Sequence, residues 1–252
     1  WSSDVCSSDL IFDKDILSHL SEKADRRVTF IHDCLIRMQE KLTEAGSSMH
    51  VLIDTPARAF ETLLEEYDVT AVYTNHDYEP YSISRDKKIG DWLTKNGISF
   101  NTFKDQVIFE KSEVMKGDGT PYTIFTPYSR VWKQKFGETK VVSFPSEKRM
   151  DRFVKLKALR IPSLADIGFT EADLHVPEPS WKKQTVVNYD KTRNFPSVDG
   201  TTRLSAHLRF GTVSVRKLAV TAAELSEVWL NELIWREFFM MILFLQMEKE
   251  GK

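Results

Sequence analysis

The chain has 252 residues, of which 41% are hydrophobic and 29% are charged, a composition ordinary for a globular protein and unlike that of a disordered one. Its formal net charge of -2 excludes a globally basic nucleic-acid coat, although a local basic groove would leave the same total. Two cysteines cannot build a disulfide framework, and no run approaches the roughly 18 apolar residues that span a bilayer, so we expect a cytoplasmic protein without a membrane partner.

The first ten residues differ in character from the rest. Residues 1–10 read W-S-S-D-V-C-S-S-D-L and have neither the basic start nor the apolar run of a signal peptide. Residues 4–10 match one reading frame of a common sequencing adapter. We therefore hypothesise that residues 1–10 are an assembly artefact and that the native chain begins near Ile11. The alternative is a natural flexible tail.

From Ile11 the sequence alternates between strand-like and helix-like patterns. Short apolar runs at residues 11–13, 50–53, 69–73 and 98–103 predict strands. Apolar residues three and four positions apart predict amphipathic helices at residues 55–67 and 84–95. The same spacing predicts a longer helix that carries Val28, Ile31, Leu35, Met38 and Leu42. Strands separated by single helices predict parallel pairing in an open α/β sheet. Ligands of such sheets bind beyond the carboxyl ends of the strands, which directs attention to the loop at residues 74–80.

The alternation ends near residue 104. A turn cluster occupies residues 116–121, a short helix is predicted at residues 128–136, and a proline-rich stretch with little periodicity extends to residue 188. Helical patterning returns after residue 199. We therefore predict an α/β domain at residues 11–135, an interdomain linker at residues 136–188 and a helical region at residues 189–252.

The last predicted helix carries a polar and aromatic face. Glu232, Trp235, Arg236 and Phe239 follow the spacing i, i+3, i+4, i+7 and share this face, opposite an apolar stripe. Such a face can stack on planar rings, accept a hydrogen bond from a ring N–H and neutralise a phosphate. On spacing alone, the more common interpretation is a core helix in which Glu232 and Arg236 form an ion pair.

A loop upstream of this helix has the composition of an anion site. Gly200 precedes two threonines, an arginine and a serine, whose hydroxyls and backbone N–H groups can hold a diphosphate. The alternative is a helix N-cap formed by Thr201 or Thr202. No glycine-rich dinucleotide motif, P-loop, G-x-S-x-G or C-x-x-C motif occurs, and no metal site is predicted.

In their order and spacing, these segments resemble the photolyase and cryptochrome family. The segments that carry the resemblance are Phe125-Thr-Pro-Tyr128, Tyr189, Thr201-Thr-Arg-Leu-Ser205, His207-Leu-Arg-Phe-Gly211 and Trp229-Leu-Asn-Glu-Leu-Ile-Trp-Arg-Glu-Phe238. The resemblance extends from Ile11 to the end of the chain. It implies a Rossmann-like antenna-type domain at residues 11–135 and the start of an all-α FAD-binding domain at residues 189–252.

The resemblance also implies a site for FAD and damaged DNA. The residues implied to contact FAD are Tyr189, Thr201, Thr202, Arg203, Leu204, Ser205, Trp229 and Arg236. Glu232 and Trp235 are implied to be catalytic: Trp235 would stack on a flipped-out pyrimidine dimer, and Glu232 would hydrogen-bond its edge. Arg193 is implied to bind a DNA phosphate, and Arg236 and Phe239 complete the implied DNA contacts.

The implied activity is that of a lyase which repairs cyclobutane pyrimidine dimers with light, by electron transfer from reduced FAD. Glu232 favours this lesion, because enzymes for the other main ultraviolet lesion usually carry Gln at that position. Trp235 argues against a plant-type cryptochrome, which usually lacks the stacking tryptophan. The alternatives are a cryptochrome-type blue-light photoreceptor and an unrelated nucleotide-binding α/β protein.

The sequence departs from the family pattern at three places. The opening strand, with its W-F-R-x-D-L-R pattern, is absent before Ile11, and the rest of the flavin pocket and DNA groove is absent after Lys252. We therefore expect an incomplete chain that neither holds FAD tightly nor repairs DNA by itself. Residues 79–82 lack the Asn-Glu pair that contacts folate in some members, so a second antenna chromophore, of the folate or deazaflavin type, is left unidentified. We expect the intact protein to act on DNA as a monomer.

Overall fold

A computed structural model describes residues 6–250 of the chain, with side chains described as far as residue 246. These residues form two compact units. Unit 1 contains the chain as far as Val69 together with Phe144–Val176. Unit 2 contains Thr70–Ser143 together with the chain from Pro177 onward.

Unit 1 is built on two parallel strands, β1 (Ser8–Asp13) and β2 (Met49–Asp54), which pair from Ser8 opposite Met49 to Asp13 opposite Asp54. The register fits the parallel pairing expected of strands that are joined by a helix. Its helices are α1 (Lys14–Leu17), α2 (Arg26–Glu44) and α3 (Pro56–Glu66), and a 3-10 helix follows at Ser146–Arg152.

The long helix α2 provides one wall of the unit 1 core. Of the five apolar residues predicted on its buried face, four pack in that core, whereas Met38 is 45% exposed, so this part of the prediction is wrong. Gln39 is buried in its place. Its amide nitrogen donates to the Ser48 hydroxyl and to the Leu159 carbonyl at 2.6 Å each, and its amide oxygen accepts the N–H of Met49 at 2.8 Å. A fully hydrogen-bonded amide can thus occupy a position that periodicity would give to an apolar residue.

Unit 2 contains the second pair of parallel strands, β3 (Ala71–Asn75) and β4 (Ser99–Phe103), joined by α4 (Pro80–Lys95). This helix begins four residues before the predicted start, because proline fits the first turn of a helix, where its missing N–H has no intrahelical role. Gly90 allows α4 to lie close to β4, since a Cβ at this position would be 2.7 Å from Cδ1 of Phe100.

The remaining helices of unit 2 surround its main hydrophobic core. They are α5 (Phe125–Glu138), α6 (Lys183–Val187), α7 (Tyr189–Thr192), α8 (Ser205–Arg209), α9 (Val215–Leu225) and α10 (Glu227–Glu250). Trp132 and Tyr128 of α5 are the largest of the fully buried side chains. The predicted apolar face of α10 is confirmed, because Leu230, Leu233, Ile234 and Met241 are all buried, and Glu237 is buried among them.

The α/β class and the parallel pairing are confirmed, with the strands arranged as two two-stranded sheets among the described residues. Strand β1 includes Ser8, Asp9 and Leu10, so part of the suspected artefact segment takes part in backbone pairing, while residues 1–5 lie outside the described residues. The artefact hypothesis and the predicted domain limits stay predictions. Within residues 6–250, no helix has the length and apolar character needed to cross a membrane.

Candidate functional site

A cavity of about 480 Å3 lies in unit 2, between the loop that precedes α8 and one side of α10. All the residues predicted to contact FAD line this cavity, and so does Glu232; together they are Tyr189, Thr201, Thr202, Arg203, Leu204, Ser205, Trp229, Glu232 and Arg236. The remaining lining residues are Leu208, Arg209, Leu233 and Met240. Two segments that are separate in the sequence therefore meet around one space.

The loop at residues 200–205 is shaped by a close approach and by one unusual backbone conformation. The Thr192 hydroxyl hydrogen-bonds to the carbonyls of Asn188 and Gly200 at 3.0 and 3.1 Å. A Cβ at residue 200 would lie 2.4 Å from Cβ of Thr192, so the loop can take this path only with glycine there. Arg203 has φ of 52°, in the left-handed region that residues other than glycine rarely adopt. Such strain is often found at ligand sites.

The hydroxyl groups of this loop are available to a ligand. Leu204, not a threonine, occupies the N-cap position of α8, and no side chain caps that helix. The interpretation of Thr201 or Thr202 as an N-cap is therefore wrong. Within the described part of the chain, the hydroxyls of Thr201, Thr202 and Ser205 form no hydrogen bond with another protein group. Each can donate a hydrogen bond to an oxygen of a bound anion.

Arg236 lines the cavity from α10 and is fixed by two backbone carbonyls. Its Nη1 donates to the carbonyl of Gln106 at 2.5 Å, and its Nη2 donates to the carbonyl of Leu208 at 3.1 Å. Burial lowers the pKa of this guanidinium from its ordinary value, but arginine keeps its charge in proteins. Arg203 and Arg209 also line the cavity, where they form ion pairs with Asp199 and Glu79. The lining therefore holds three cationic side chains and one carboxylate, that of Glu232, an excess of positive charge that favours an anionic ligand.

Glu232 forms an ion pair with Arg193, the residue predicted to bind DNA phosphate. The guanidinium Nη1 of Arg193 donates to Oε1 of Glu232. The same guanidinium lies 5.8 Å from the ring centre of Tyr189, within the range of a cation–π contact. Burial raises the pKa of the Tyr189 phenol, and the negative charge of Glu232 raises it further. Arg193 thus contacts two other predicted site residues, Glu232 and Tyr189.

Trp235 does not line the cavity. Its indole is parallel to the Phe125 ring, with centroids 3.7 Å apart and an angle of 5° between the planes. Phe238 contacts the indole edge-on, and Phe239 contacts it in an offset stack with centroids 5.4 Å apart. We call Phe125, Tyr128, Trp235, Phe238 and Phe239 the aromatic cluster. Glu232 and Trp235 are neighbours on α10, but one belongs to the cavity and the other to this cluster.

A buried carboxylate holds α10 against α5 and the loop before it. Glu237 is 2% exposed and accepts hydrogen bonds from the N–H of Ile108 at 2.5 Å, the N–H of Phe109 at 3.2 Å and the indole N–H of Trp132 at 2.6 Å. Burial raises the pKa of Glu237 to about 7, while these three donors favour the ionised form and limit the rise. This carboxylate fixes the helix that carries the predicted catalytic residues.

A second group of polar residues surrounds the loop that follows β3. His76 Nδ1 lies 2.8 Å from Oε2 of Glu110, His76 Nε2 lies 2.9 Å from the Thr102 hydroxyl, and the Tyr78 hydroxyl donates to Glu110 at 2.7 Å. His76 also lines a second cavity of about 350 Å3, beside α4 and β4. Among the described residues, no cluster of His, Cys, Asp and Glu side chains could hold a metal ion.

The protein family is identified by comparing the amino-acid sequence with models of known families. The family model for DNA photolyase matches residues 10–147, which is more than half of the chain. This chain belongs to the DNA photolyase family. The matched region lies before the cavity, so the family is established independently of the cavity residues.

Several curated photolyase relatives match most of the chain. The deoxyribodipyrimidine photo-lyase of Synechococcus is 28% identical over 252 aligned residues, which cover 89% of this chain and 52% of the relative. That of Halobacterium salinarum is 27% identical over 257 residues, covering 92% of this chain and 53% of the relative. The chain therefore spans about half the length of the curated photolyases it matches.

Solved structures of photolyases and cryptochromes share the fold. An archaeal photolyase from Sulfolobus tokodaii, solved with two FAD molecules, matches with a TM-score of 0.70 at 24% identity over 96% of this chain and 54% of its own. A cryptochrome from Synechocystis matches with a TM-score of 0.72 at 14% identity over 95% of this chain and 56% of its own. At these identities the likeness describes the photolyase fold and not a particular activity.

Some residues at the cavity were not predicted from the sequence. Leu208 and Arg209 lie on α8 four residues after Leu204 and Ser205, and Met240 lies four residues after Arg236. The i, i+4 spacing from a predicted site residue would have indicated each of them. Phe125 belongs to one of the segments that carry the family resemblance, but no local pattern indicated that it contacts Trp235.

Proposed function

We propose that this chain is part of a deoxyribodipyrimidine photo-lyase, a lyase that repairs cyclobutane pyrimidine dimers in DNA with light and reduced FAD. The observation that carries the proposal is the single cavity lined by all the residues predicted to contact FAD and by Glu232. Membership of the DNA photolyase family and the names of the curated relatives support the same reaction.

The residues around the cavity suit FAD. A diphosphate needs hydrogen-bond donors and positive charge, and the loop before α8 offers the hydroxyls of Thr201, Thr202 and Ser205 beside Arg203. Planar rings need flat or apolar surfaces, which Trp229 provides from α10. We propose that these residues hold the cofactor together with Tyr189, Leu204 and Arg236. When bound, the reduced flavin supplies the light-driven electron that splits the dimer.

We propose that the flipped-out pyrimidine dimer enters beside Glu232 and Trp235. Glu232 would accept hydrogen bonds from the pyrimidine edge, and Trp235 would stack on the rings, so that together they replace the base pairing and stacking that the dimer has inside the duplex. Arg193 would bind a phosphate of the same strand, with Arg236 and Phe239 as further DNA contacts. The local cations support DNA binding even though the net charge of the chain is -2.

A cryptochrome-type blue-light photoreceptor is the second candidate. One observation favours it: Trp235 packs against Phe125 and does not line the cavity, so its stacking surface is partly occupied. A photoreceptor needs the flavin cavity but not a tryptophan that receives a lesion.

The two candidates are separated by repair of an oligonucleotide that contains one thymine dimer, with the complete gene product loaded with FAD and illuminated with blue light. We expect repair in the unmodified protein. We expect Trp235→Ala to raise the dimer Kd, measured in the dark, about 5- to 150-fold, because stacking on one base contributes about 1–3 kcal/mol. We expect Glu232→Gln to slow repair about 10-fold or more, because it removes a charge-assisted hydrogen bond.

Glu224→Gln is the matched control for Glu232→Gln, because Glu224 is an exposed acid on the neighbouring helix α9 and outside the cavity. This control should repair dimers at the unmodified rate. A protein that binds FAD stoichiometrically but leaves the dimer intact under illumination would contradict the photolyase proposal and favour the photoreceptor. A complete gene product without any flavin would contradict both.

We also propose a second, antenna chromophore of the folate or deazaflavin type. The second cavity, at His76 and Asp77, is beside the carboxyl end of β3, where ligands of parallel sheets commonly bind. Mass spectrometry of the chromophores released from the complete protein would identify the second group, and release of FAD alone would contradict it. A cytoplasmic location and a monomeric state remain predictions.

A further inference from the structure

We infer that Phe125 is a positioning residue for Trp235: it lies parallel to the indole and fixes the plane in which the tryptophan meets the lesion. This inference rests on the proposed function of Trp235. The two ring centroids are 3.7 Å apart and the planes differ by only 5°, so the benzene ring lies flat against one indole face. A tryptophan with free side-chain torsions would lose rotational freedom when it stacks on a base, and a stacked partner removes part of that cost beforehand.

The Phe125 ring is itself held in place by edge contacts. Phe238 meets Phe125 at 78° and 5.9 Å, and it meets Trp235 at 78° and 5.6 Å, so one buried ring braces both members of the stacked pair. Phe238 also contacts Tyr128, which is almost fully buried, with ring centroids 5.1 Å apart. Edge-to-face contacts of this kind are preferred geometries for aromatic pairs. The orientation of Phe125 is thus determined by the core and not by a loop.

The helix that carries Phe125 is fixed relative to α10. Phe125 is the first residue of α5, and Trp132, two turns later in the same helix, donates its indole N–H to Glu237 of α10 at 2.6 Å. Glu237 lies two residues after Trp235. The two helices are therefore joined by a buried hydrogen bond near the stacked pair, which sets how far Phe125 lies from the indole.

The other stacked neighbour of Trp235 is suited to a different role. Phe239 is 60% exposed, and its ring makes an angle of 24° with the indole at a centroid distance of 5.4 Å, a looser contact than that of Phe125. An exposed side chain changes rotamer in nanoseconds at small cost. Phe125 is thus the permanent partner of Trp235, and Phe239 is the neighbour that can move when DNA binds.

The inference is tested with substitutions in the complete, FAD-loaded gene product. Phe125→Leu keeps the hydrophobicity and most of the volume but removes the flat face, whereas Phe125→Tyr keeps the ring. The matched control is Phe136→Leu, because Phe136 lies in the same helix and stacks on Trp132 in the same way, with ring centroids 4.9 Å apart and an angle of 14°. We expect Phe125→Leu to raise the dimer Kd about 3- to 10-fold, the range that one aromatic pair contributes. FAD content should stay unchanged, Phe125→Tyr should restore binding, and Phe136→Leu should bind the dimer normally.

A double-substitution cycle distinguishes positioning from packing. If Phe125 acts through Trp235, Phe125→Leu should have no further effect on the dimer Kd when Trp235→Ala is already present. An equal effect in both backgrounds, or an equal loss in Phe136→Leu, would overturn the inference. A dimer Kd of Phe125→Leu equal to that of the unmodified protein would overturn it as well.

The orientation of Trp235 can also be measured without DNA. In protein labelled with 5-fluorotryptophan, Phe125→Leu should shift the 19F resonance of Trp235, which is assigned by its loss in Trp235→Phe, and Phe136→Leu should not. An unshifted Trp235 resonance would overturn the inference directly. Failure of the unmodified protein to distinguish dimer from undamaged DNA would instead contradict the proposed function, so the two failures are separable.

Discussion

Replacing the buried Glu237 by glutamine should destabilise unit 2 while leaving its shape almost unchanged. One carboxyl oxygen of Glu237 accepts the N–H of Ile108, and the other accepts the N–H of Phe109 and the indole N–H of Trp132. Both oxygens carry lone pairs and can accept whether the group is ionised or, below its pKa of about 7, protonated. The glutamine of Glu237→Gln has a single amide oxygen, which can replace only one of these acceptors. If it keeps the two donors of the second oxygen, the new NH2 group faces the N–H of Ile108 at the distance of a hydrogen bond, donor against donor. At least one buried donor then has no acceptor.

An unsatisfied buried donor costs about 1–3 kcal/mol. The shift in Tm that a given loss of stability causes falls as the protein grows longer, and the complete relatives are about twice as long as this chain. A loss of about 2 kcal/mol should therefore lower Tm by about 2–4 °C. Thermal unfolding of the complete, FAD-loaded protein, followed by circular dichroism at pH 6.5, measures this change. The control is Glu227→Gln on the same helix: the Glu227 side chain is 75% exposed and pairs with Lys133, so its loss should change stability by less than about 0.5 kcal/mol. Equal Tm values for Glu237→Gln and Glu227→Gln would refute this account of how α10 is anchored.

Three further predictions concern the same region. Burial raises the pKa of Glu237 to about 7, above its unfolded value of 4.5. Its contribution to the free energy of unfolding is therefore complete below about pH 4.5 and is lost as pH rises through 7. The Tm difference between the unmodified protein and Glu237→Gln should accordingly shrink between pH 5 and pH 8. A constant difference would show that Glu237 does not titrate in this range. Gly200→Ala puts a Cβ 2.4 Å from Cβ of Thr192 and should reduce the FAD content of the purified protein, measured by absorbance. The control Gly137→Ala, with nothing within 4 Å of the added Cβ, should keep its FAD. Equal FAD contents in the two variants would show that the loop is not part of the flavin site. Arg193→Ala should weaken DNA binding and reduce the slope of log Kd against log salt concentration by about one, as expected for one phosphate contact removed; an unchanged slope would show that this arginine serves only Glu232.

The local structure of this chain could be predicted where one periodicity dominates. The apolar faces of α2 and α10 repeat every three to four residues, and both helices form with those faces buried. The start of α4 was predicted too late because the apolar residues that indicated the helix lie in its second half, although Pro80 is a good first residue for a helix. Met38 was wrongly predicted to be buried because the partners of Gln39, at residues 48, 49 and 159, lie outside α2 and do not enter its periodicity.

The candidate site was predictable only in part for the same reason. The residues of the cavity were predicted from the resemblance to a family. Local patterns alone favoured other interpretations, a core helix for α10 and a helix N-cap for the loop at residues 200–205. Both the stack of Phe125 on Trp235 and the bonds to Glu237 join residues more than 100 positions apart. No local pattern contains such pairs, because they depend on how α5 and α10 pack.

The cavity of unit 2 has a consequence for the order in which the protein folds. Its lining residues all lie between Tyr189 and Met240, so the chain closes loops of at most about 50 residues to bring them together, and a shorter loop closes faster and at lower entropic cost than a longer one. The contacts that fix the far side of α10 reach back to Ile108, Trp132 and Phe125 and close much longer loops. We expect the walls of the cavity to assemble early as a loose pocket and to become rigid only when this distant segment docks, so that a hydrogen-exchange pulse during refolding would protect the amides of α8 and α9 before the N–H of Ile108.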